Sequence, residues 1–471
     1  MSDHDCEIGL IGLGTMGQNF LLNMADHGYA VAGYNRTADK VDELIAMAGD
    51  RAIHGAKSVE AFLKLLRRPR KIVLLVPAGN PVDSVIDQLL PGLEEGDILI
   101  DGGNSHFNDT ERREKTLAEK NIHFIGMGVS GGAEGARYGP SMMPGGNESA
   151  YNQVKDIFEA AAAKVDGQPC VTYLGRGAAG HYVKMVHNGI EYGMMQLLAE
   201  SYDLMKNGLG LDNEQLHQVY SDWNRAELNA YLVEITAEIF AEKDGRGSGW
   251  LIDSILDTAK QKGTGKWTSQ NALDLGIPTP SIDVAVTGRY LSALKEERKI
   301  AAQVLPRPSI TFSGNRDAAV SEVRNAFYAA MVITYAQGMT LLQAASKEYN
   351  YNLNLEDVAR IWRGGCIIRA AMLEDFRQAY QNRSDLPNLL IDPLLSSAIM
   401  AREADLRLTV QRAAGMSIPA PGFMVALAYL DSYRSERLPA NLIQAQRDYF
   451  GSHTYQRIDA EGLFHTDWGK D

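Results

Sequence analysis

The stretch Glu7-Ile8-Gly9-Leu10-Ile11-Gly12-Leu13-Gly14-Thr15-Met16-Gly17-Gln18-Asn19 decides the fold of this chain. The apolar run Glu7–Leu13 reads as a buried strand, and Gln18–His27 as the helix that follows it. Between them stands Gly12-x-Gly14-x-x-Gly17, the dinucleotide fingerprint in its proper strand–turn–helix setting. The glycines permit a tight turn and let a pyrophosphate approach a helix N-terminus, whose unpaired N–H groups favour anions. Gly12, Leu13, Gly14, Thr15, Met16 and Gly17 are therefore candidate cofactor contacts.

Working outward, Ala30–Tyr34, Ile72–Val76, Ile98–Asp101 and His123–Gly126 read as further short strands, with amphipathic segments between several of them. That alternation predicts a parallel sheet wound on both sides by helices, a Rossmann-type α/β domain over residues 1–178. From about Gly180 the strand signals stop. Residues 179–435 read as a large all-helical domain, broken at Gly245–Gly249, Lys262–Gly265, Pro278–Pro280 and Pro306–Pro308. Residues 436–471 are polar and aromatic, with little periodicity, and read as a C-terminal tail. A shift of 142 positions sets Glu214 on Glu356, Leu216 on Val358 and Val219 on Ile361, a weak internal repeat whose rival is chance likeness between helices. Under it Lys184 falls on Ala326 and Glu191 on Ile333, so one copy alone would carry chemical groups.

The 471 residues suggest about three domains. At 45% hydrophobic and 22% charged the chain has ample core, and a net charge of −13 argues against nucleic acid or an anionic membrane as partner. Cys6, Cys170 and Cys366 lie too far apart for a disulfide framework or metal-ligand spacing, so no metal is expected. The acidic start leads directly into a strand without a secretory pattern, which makes a cytoplasmic, reduced protein the expectation. Asn325–Ser346 has no charged residue, long enough to suggest a membrane span, but Asn325, Thr334, Gln337, Gly338, Thr340 and Gln343 make a buried central helix the better reading.

The end of the second strand reads Tyr34-Asn35-Arg36-Thr37. NAD enzymes place a carboxylate there for the ribose hydroxyls; an arginine can instead grip a 2′-phosphate with two hydrogen bonds, so NADP is expected over NAD. The plainer alternative is that Thr37 caps the next helix and Arg36 is solvated. A second fingerprint match, Gly175-Arg176-Gly177-Ala178-Ala179-Gly180, precedes a long helix with no strand after it. It predicts close packing of sheet on helix, with that helix N-terminus adding positive potential near Lys184.

In this helix Lys184 and Glu191 stand two turns apart on one stripe, about 10 Å along the axis, with His187 and Asn188 between them. The opposite face carries Val186, Gly189 and Gly193, suited to close packing. A base and an acid so placed can serve two ends of one substrate. Lysine normally titrates near 10.4, so burial or nearby positive charge must lower it before it acts as a base. A structural Lys184–Glu191 ion pair is the alternative, but two turns is too far for a direct local pair. Three more segments draw notice: Val129-Ser130-Gly131-Gly132, an anion nest or an empty glycine turn; the basic loop Gln261-Lys262-Gly263-Thr264-Gly265-Lys266-Trp267; and Arg447-Asp448-Tyr449-Phe450-Gly451-Ser452-His453 in the tail.

Together these residues resemble the decarboxylating 6-phosphogluconate dehydrogenases over nearly the whole chain. The matching stretches are Gly12–Asn19, Val129–Gly132, Gly175–Asn188, Lys262–Trp267, Trp362–Arg369 and Leu438–Tyr455. The glycine approach to Lys184-x-x-x-Asn188 is shared with the wider β-hydroxyacid dehydrogenases; the basic loop and the tail motif are more specific. The resemblance implies NADP-dependent oxidation of 6-phosphogluconate to ribulose 5-phosphate and CO2, a step of the pentose phosphate pathway. It implies Lys184 as general base and Glu191 as the proton donor to the enediol. Asn35, Arg36, Thr37, Val76, Pro77, Ala78 and Asn104 would add to the cofactor contacts. Asn104, Ser130, Gly131, Gly132, His187, Asn188, Tyr192, Lys262, Arg289, Arg447 and His453 would hold the substrate. In this family the tail reaches the neighbouring subunit, which implies a homodimer whose helical domain also dimerises. Two positions depart from the pattern: Pro77 stands where lysine is common, and Lys260 where a small residue is usual. The rival readings are a β-hydroxyacid dehydrogenase that does not decarboxylate, and a silent NADP-binding sensor.

Overall fold

The strands β1 (Ile8–Ile11), β2 (Val31–Tyr34), β3 (Ile53–Ala56), β4 (Lys71–Leu74), β5 (Ile98–Asp101), β6 (His123–Ser130) and β7 (Ser141–Gly146) form one sheet in the order β3-β2-β1-β4-β5-β6-β7. All neighbours are parallel except the last pair, where β7 runs against β6. The computed structural model describes residues 6–308, 310 and 312–469, so the acidic start and the last two tail residues lie outside the described residues. Strand order reverses direction at β1, which lies between β2 and β4; in an open sheet of this kind the crevice beyond those strand ends is where ligands bind.

The sheet departs from its sequence reading in three places. β3 has only Ile53 and Ala56 as buried apolar residues and sits at the edge, too little signal for a strand to be read. β6 runs eight residues rather than four, because β7 pairs along its far half. β7, Ser-Met-Met-Pro-Gly-Gly, is fully buried although its composition suggests a turn. A short hairpin, β8 (Lys164–Val165) and β9 (Gln168–Pro169), turns on Asp166-Gly167, both at positive φ.

β7's glycines are explained by what lies above them. The helix Ala179–Asp203 crosses the sheet with no room for side chains at the crossing. A Cβ built on Gly180 would stand 2.2 Å from the carbonyl oxygens of both Gly126 and Met143, and one on Gly145 would stand 2.4 Å from the Gly180 nitrogen. The second glycine motif thus serves packing, with backbone lying on backbone.

Beyond this helix no strand occurs among the described residues. Its far face meets the 33-residue helix Arg316–Glu348, which contains the uncharged Asn325–Ser346 stretch. Gly338 lies against Ile190 and Val186, and Gly193 against Thr334. The polar residues of this buried helix are partnered: Gln337 accepts from Ser281 N and donates to its hydroxyl, and Tyr335 donates to Ile368 O. No helix among the described residues is long and apolar enough to cross a membrane.

The repeat read from sequence has a structural counterpart. The same 142-residue offset sets N-cap Asp212 of helix Asn213–Asn224 on N-cap Asn354 of helix Leu355–Trp362. It also sets helix start Tyr231 on Leu373, and Leu251 on Pro393. Two reading errors stand out here. Lys262–Gly265 is only half a break, since Thr264 begins a helix. The tail contains a helix, Ala440–Gly451. This helix packs extensively on no other element of its own chain, and its apolar stripe of Leu442, Ile443, Ala445, Tyr449 and Phe450 carries four exposed residues.

The tail is organised instead around Asp448. Its carboxylate accepts from Thr454 N, Thr466 N, His465 Nδ1 and Trp468 Nε1. Burial would raise its pKa, but His465, Trp468 and the Thr466 N–H together hold the carboxyl at about 2.

Gly180→Ala is expected to lower stability by about 1–3 kcal/mol, because both opposing atoms are backbone and cannot rotate away. A reduced urea midpoint tests this; an unchanged midpoint would show that helix and sheet can separate there.

Candidate active site

The turn after β1 has the three glycines in three different surroundings. A Cβ on Gly12 (φ +106°) would strike Leu75 O at 2.3 Å, and one on Gly17 would strike Gly12 O at 2.0 Å. A Cβ built on Gly14 would meet nothing within 4 Å. Gly14 is the N-cap of helix Thr15–Asp26, whose first turn has no acidic residue and no side-chain cap. Open N–H groups facing clear space fit the pyrophosphate of a dinucleotide. Asn35 steadies the turn by accepting from Leu13 N. Arg36 is exposed, and Thr37, although at the N-cap position of the next helix, makes no side-chain cap bond. Pro77 and Ala78, exposed after β4, and Asn104, exposed after β5, lie on loops at the same sheet edge, with Val76 half-buried behind them.

Lys184 is 5% exposed, and its stem occupies space that Gly128 leaves: a Cβ there would stand 2.3 Å from Lys184 Cβ. The amine lies 3.4 Å from His187 Nδ1, and Glu191 Oε2 is 3.9 Å from the same nitrogen. His187 therefore stands between base and acid, which form no direct ion pair. His187 Nδ1 is 3.1 Å from Asn188 Oδ1, an acceptor, so the proton belongs on Nδ1 and leaves Nε2 to accept from Ser130. One directed chain results: Ile367 N to Ser130 Oγ, Ser130 to His187, His187 to Asn188, and Asn188 Nδ2 to Thr264 Oγ1. It joins sheet, helix, basic loop and the segment after Trp362.

Burial lowers the Lys184 pKa, opposed by the Glu191 carboxylate and the Cys366 thiol. Basic neighbours, expected to help, do not contribute. Nor is the helix N-terminus a free positive pole, because Glu111 accepts from Ala178 N and neutralises it. Burial raises Glu191, against the pull of Lys184 and Arg289. His187 is held far below its usual value by burial and by Lys184, so it is neutral. An amine biased toward its neutral form, a neutral imidazole and a carboxyl biased toward its protonated form share one stripe.

Arg289 stacks on the Tyr192 ring, 3.4 Å from its centre, and donates to Lys260 O, which holds the loop leading to Lys262; the Lys260 side chain itself is exposed. Gly131, at φ +106°, and Gly132 follow Ser130 at the end of β6. Arg447 and His453 are not brought to this site within one chain. Arg447 reaches Gln444, and His453 meets Phe450, both in the tail.

The segment 362–367 was not singled out residue by residue from sequence. Trp362 meets the His187 ring edge-on at 5.6 Å, Cys366 adjoins Lys184, and Gly365 O would lie 2.5 Å from a Cβ on Gly131. The pair Gly364-Gly365 directly after a strongly amphipathic helix was the available signal.

Sequence and structure comparisons agree over the whole chain. The family model described as NAD binding domain of 6-phosphogluconate dehydrogenase matches residues 7–175, and that described as 6-phosphogluconate dehydrogenase, C-terminal domain, matches residues 180–468. A Bacillus subtilis protein named 6-phosphogluconate dehydrogenase, NADP(+)-dependent, decarboxylating is 52% identical over 98% of this chain and 99% of its own. A Synechocystis protein named 6-phosphogluconate dehydrogenase, decarboxylating is also 52% identical, over 98% of this chain and 97% of its own. The solved Plasmodium falciparum 6-phosphogluconate dehydrogenase, studied with its cofactor NADP+ and with its substrate, superimposes with a TM-score of 0.96 at 47% identity, covering 98% of this chain and 100% of its own.

The depressed Lys184 pKa has a sign that stability can read. Between the folded value and about 10.4, the unfolded chain binds the extra proton, so stability rises with pH through that window. Lys184→Met removes the burial cost and is expected to be the more stable protein near pH 7, with the gap closing toward about pH 10. A Met variant less stable than the parent near pH 7 would show the amine held as a charge.

Proposed function

The chain belongs to the 6-phosphogluconate dehydrogenase family, and we infer from this that it converts 6-phospho-D-gluconate to D-ribulose 5-phosphate and CO2 while reducing NADP to NADPH. The observation that carries the reading is the buried Lys184–His187–Glu191 stripe beside an open dinucleotide turn. NADP, when bound, supplies the hydride acceptor for C3 of the sugar acid. Gly12, Leu13, Gly14, Thr15, Met16 and Gly17 would cradle its pyrophosphate, Asn35, Arg36 and Thr37 its phosphorylated ribose, and Val76, Pro77, Ala78 and Asn104 the remainder.

In this scheme Lys184, whose burial favours the unprotonated amine, takes the proton of the C3 hydroxyl. As an ammonium it then hydrogen-bonds the C3 carbonyl oxygen, which receives the electron pair released when the carboxyl carbon departs as CO2. Glu191, whose burial favours the protonated carboxyl, delivers a proton to C1 of the resulting enediol. Ser130, Gly131, Gly132, His187, Asn188 and Tyr192 orient the sugar acid with Asn104, and Lys262 and Arg289 meet its phosphate. Neutral His187 can orient the hydroxyls without competing as a base.

Arg447 and His453 would complete the pocket of a second copy, in a cytoplasmic homodimer. What supports this is the tail's form: a self-structured element, held by Asp448, with Leu442, Ile443, Tyr449 and Phe450 exposed and few contacts to its own body. Leu291, Ile300, Val304 and Leu305 on the helical layer are exposed as well. Exposed apolar residues of this kind are what an interface between copies would cover.

The direct test is a spectrophotometric assay with 6-phosphogluconate, offering NADP and NAD separately and trapping CO2. NADPH and CO2 are expected in equal amounts, and Lys184→Met is expected to lose turnover while still binding NADP; reduction without CO2 would point to a non-decarboxylating enzyme. Separately, deletion of residues 436–471 is expected to abolish activity, and an active truncated monomer would contradict tail exchange.

A further inference from the structure

Two loops named above approach the site from different layers, and each is anchored in its own. The loop after β5 is held from within: Ser105 donates to Asp101 Oδ2, and the buried Arg113 binds Ser105 Oγ, Asp83 and Gly79 O. The basic loop is held by Asn188 on Thr264, by Thr268 donating to Met185 O, and by Gly265 lying against the Tyr192 ring. Between the two loops stands a direct aromatic contact. His106, two residues after Asn104, meets Trp267, five residues after Lys262, with ring centres 4.9 Å apart at 78°. Phe107 stacks on the imidazole with ring centres 4.7 Å apart. The indole also backs Gly263, which turns the chain at φ +103°: a Cβ there would lie 3.5–3.7 Å from three ring atoms.

We propose that His106 and Trp267 form a latch across the seam between sheet and helical layers, fixing the separation of the Asn104 loop from the Lys262 loop and so the fit of the sugar acid between them. This rests on the dehydrogenase reading above. Both are positioning residues; neither touches the reacting atoms. His106 has a second job that must be separated from the latch, since its Nδ1 caps helix Phe107–Ala118 by accepting from Asn108 N. Two substitutions split the roles. His106→Asn keeps a good N-cap acceptor and loses the ring; His106→Phe keeps a ring and loses the cap.

The experiment uses the full-length protein, 6-phosphogluconate and NADP. His106→Asn and Trp267→Ala are each expected to raise KM for 6-phosphogluconate about five- to ten-fold, with kcat changed less than about three-fold and NADP affinity unchanged. His106→Phe should keep KM within about two-fold, and the double variant H106N/W267A should be no worse than W267A alone. A loss that follows the cap rather than the ring, multiplicative effects in the double variant, or an equal loss of NADP affinity would each overturn the latch. Hydrogen exchange at residues 103–106 and 261–266 reads the latch without any substrate. Faster exchange in both loops of His106→Asn, absent in His106→Phe, upholds it even if 6-phosphogluconate is not the substrate; unchanged exchange refutes it.

Discussion

The structure depends on a crossing where two stretches of main chain touch with no side chain between them. Gly145 of β7 and Gly180 of the long helix give up their Cβ atoms at this contact, and beside it Gly126 and Gly128 of β6 leave room for the side chains of His181 and Lys184. That contact brings the lysine stem down onto the strand that ends in Ser130. It also fixes the direction in which the helix leaves the sheet, so that two turns later Glu191 still faces the same crevice. Sterics of this kind are steep: a methyl group at the crossing cannot be absorbed by rotamer change, only by backbone movement.

A second consequence is electrical. Packing this close excludes water from the lysine, and burial is the dominant influence on its proton. The expected helpers, a positive helix end and neighbouring cations, are absent or cancelled, the first by the Glu111 carboxylate. The site is therefore tuned by its dryness rather than by its charges. A directed run of hydrogen bonds from Ile367 through Ser130, His187 and Asn188 to Thr264 keeps the imidazole in one tautomer and one orientation.

Much of this was legible because local rules carry it. The first glycine motif lies between a strand and a helix, and glycine spacing alone anticipates a strained turn, an open approach and a tight packing point. The lysine–glutamate stripe follows from helical periodicity. Elements set by long-range partners were not legible: β7 contains Pro144 and two glycines yet is a strand because β6 and the long helix enclose it. β3 is an edge strand with too few apolar residues to show a period. The hairpin at Asp166-Gly167 had its signal in the sequence, but its strands are two residues each. Glu111 could not be assigned to the end of a helix 67 residues away. The tail helix has its apolar residues at helical spacing, Leu442, Ile443, Ala445, Tyr449 and Phe450, but lies in a segment whose polar and aromatic composition outweighs that signal.

The doubled helical layer divides its labour unevenly. Where the first long helix has Lys184 and Glu191, the second has Ala326 and Ile333 at the corresponding places, both fully buried. With apolar side chains at those places, the second helix serves as the anvil against which the first is pressed, through Gly338 on Ile190 and Thr334 on Gly193. The cohesion of such a wholly buried helix is a reserve of stability, and it is this reserve that lets the chain carry an amine which burial makes costly but chemically useful.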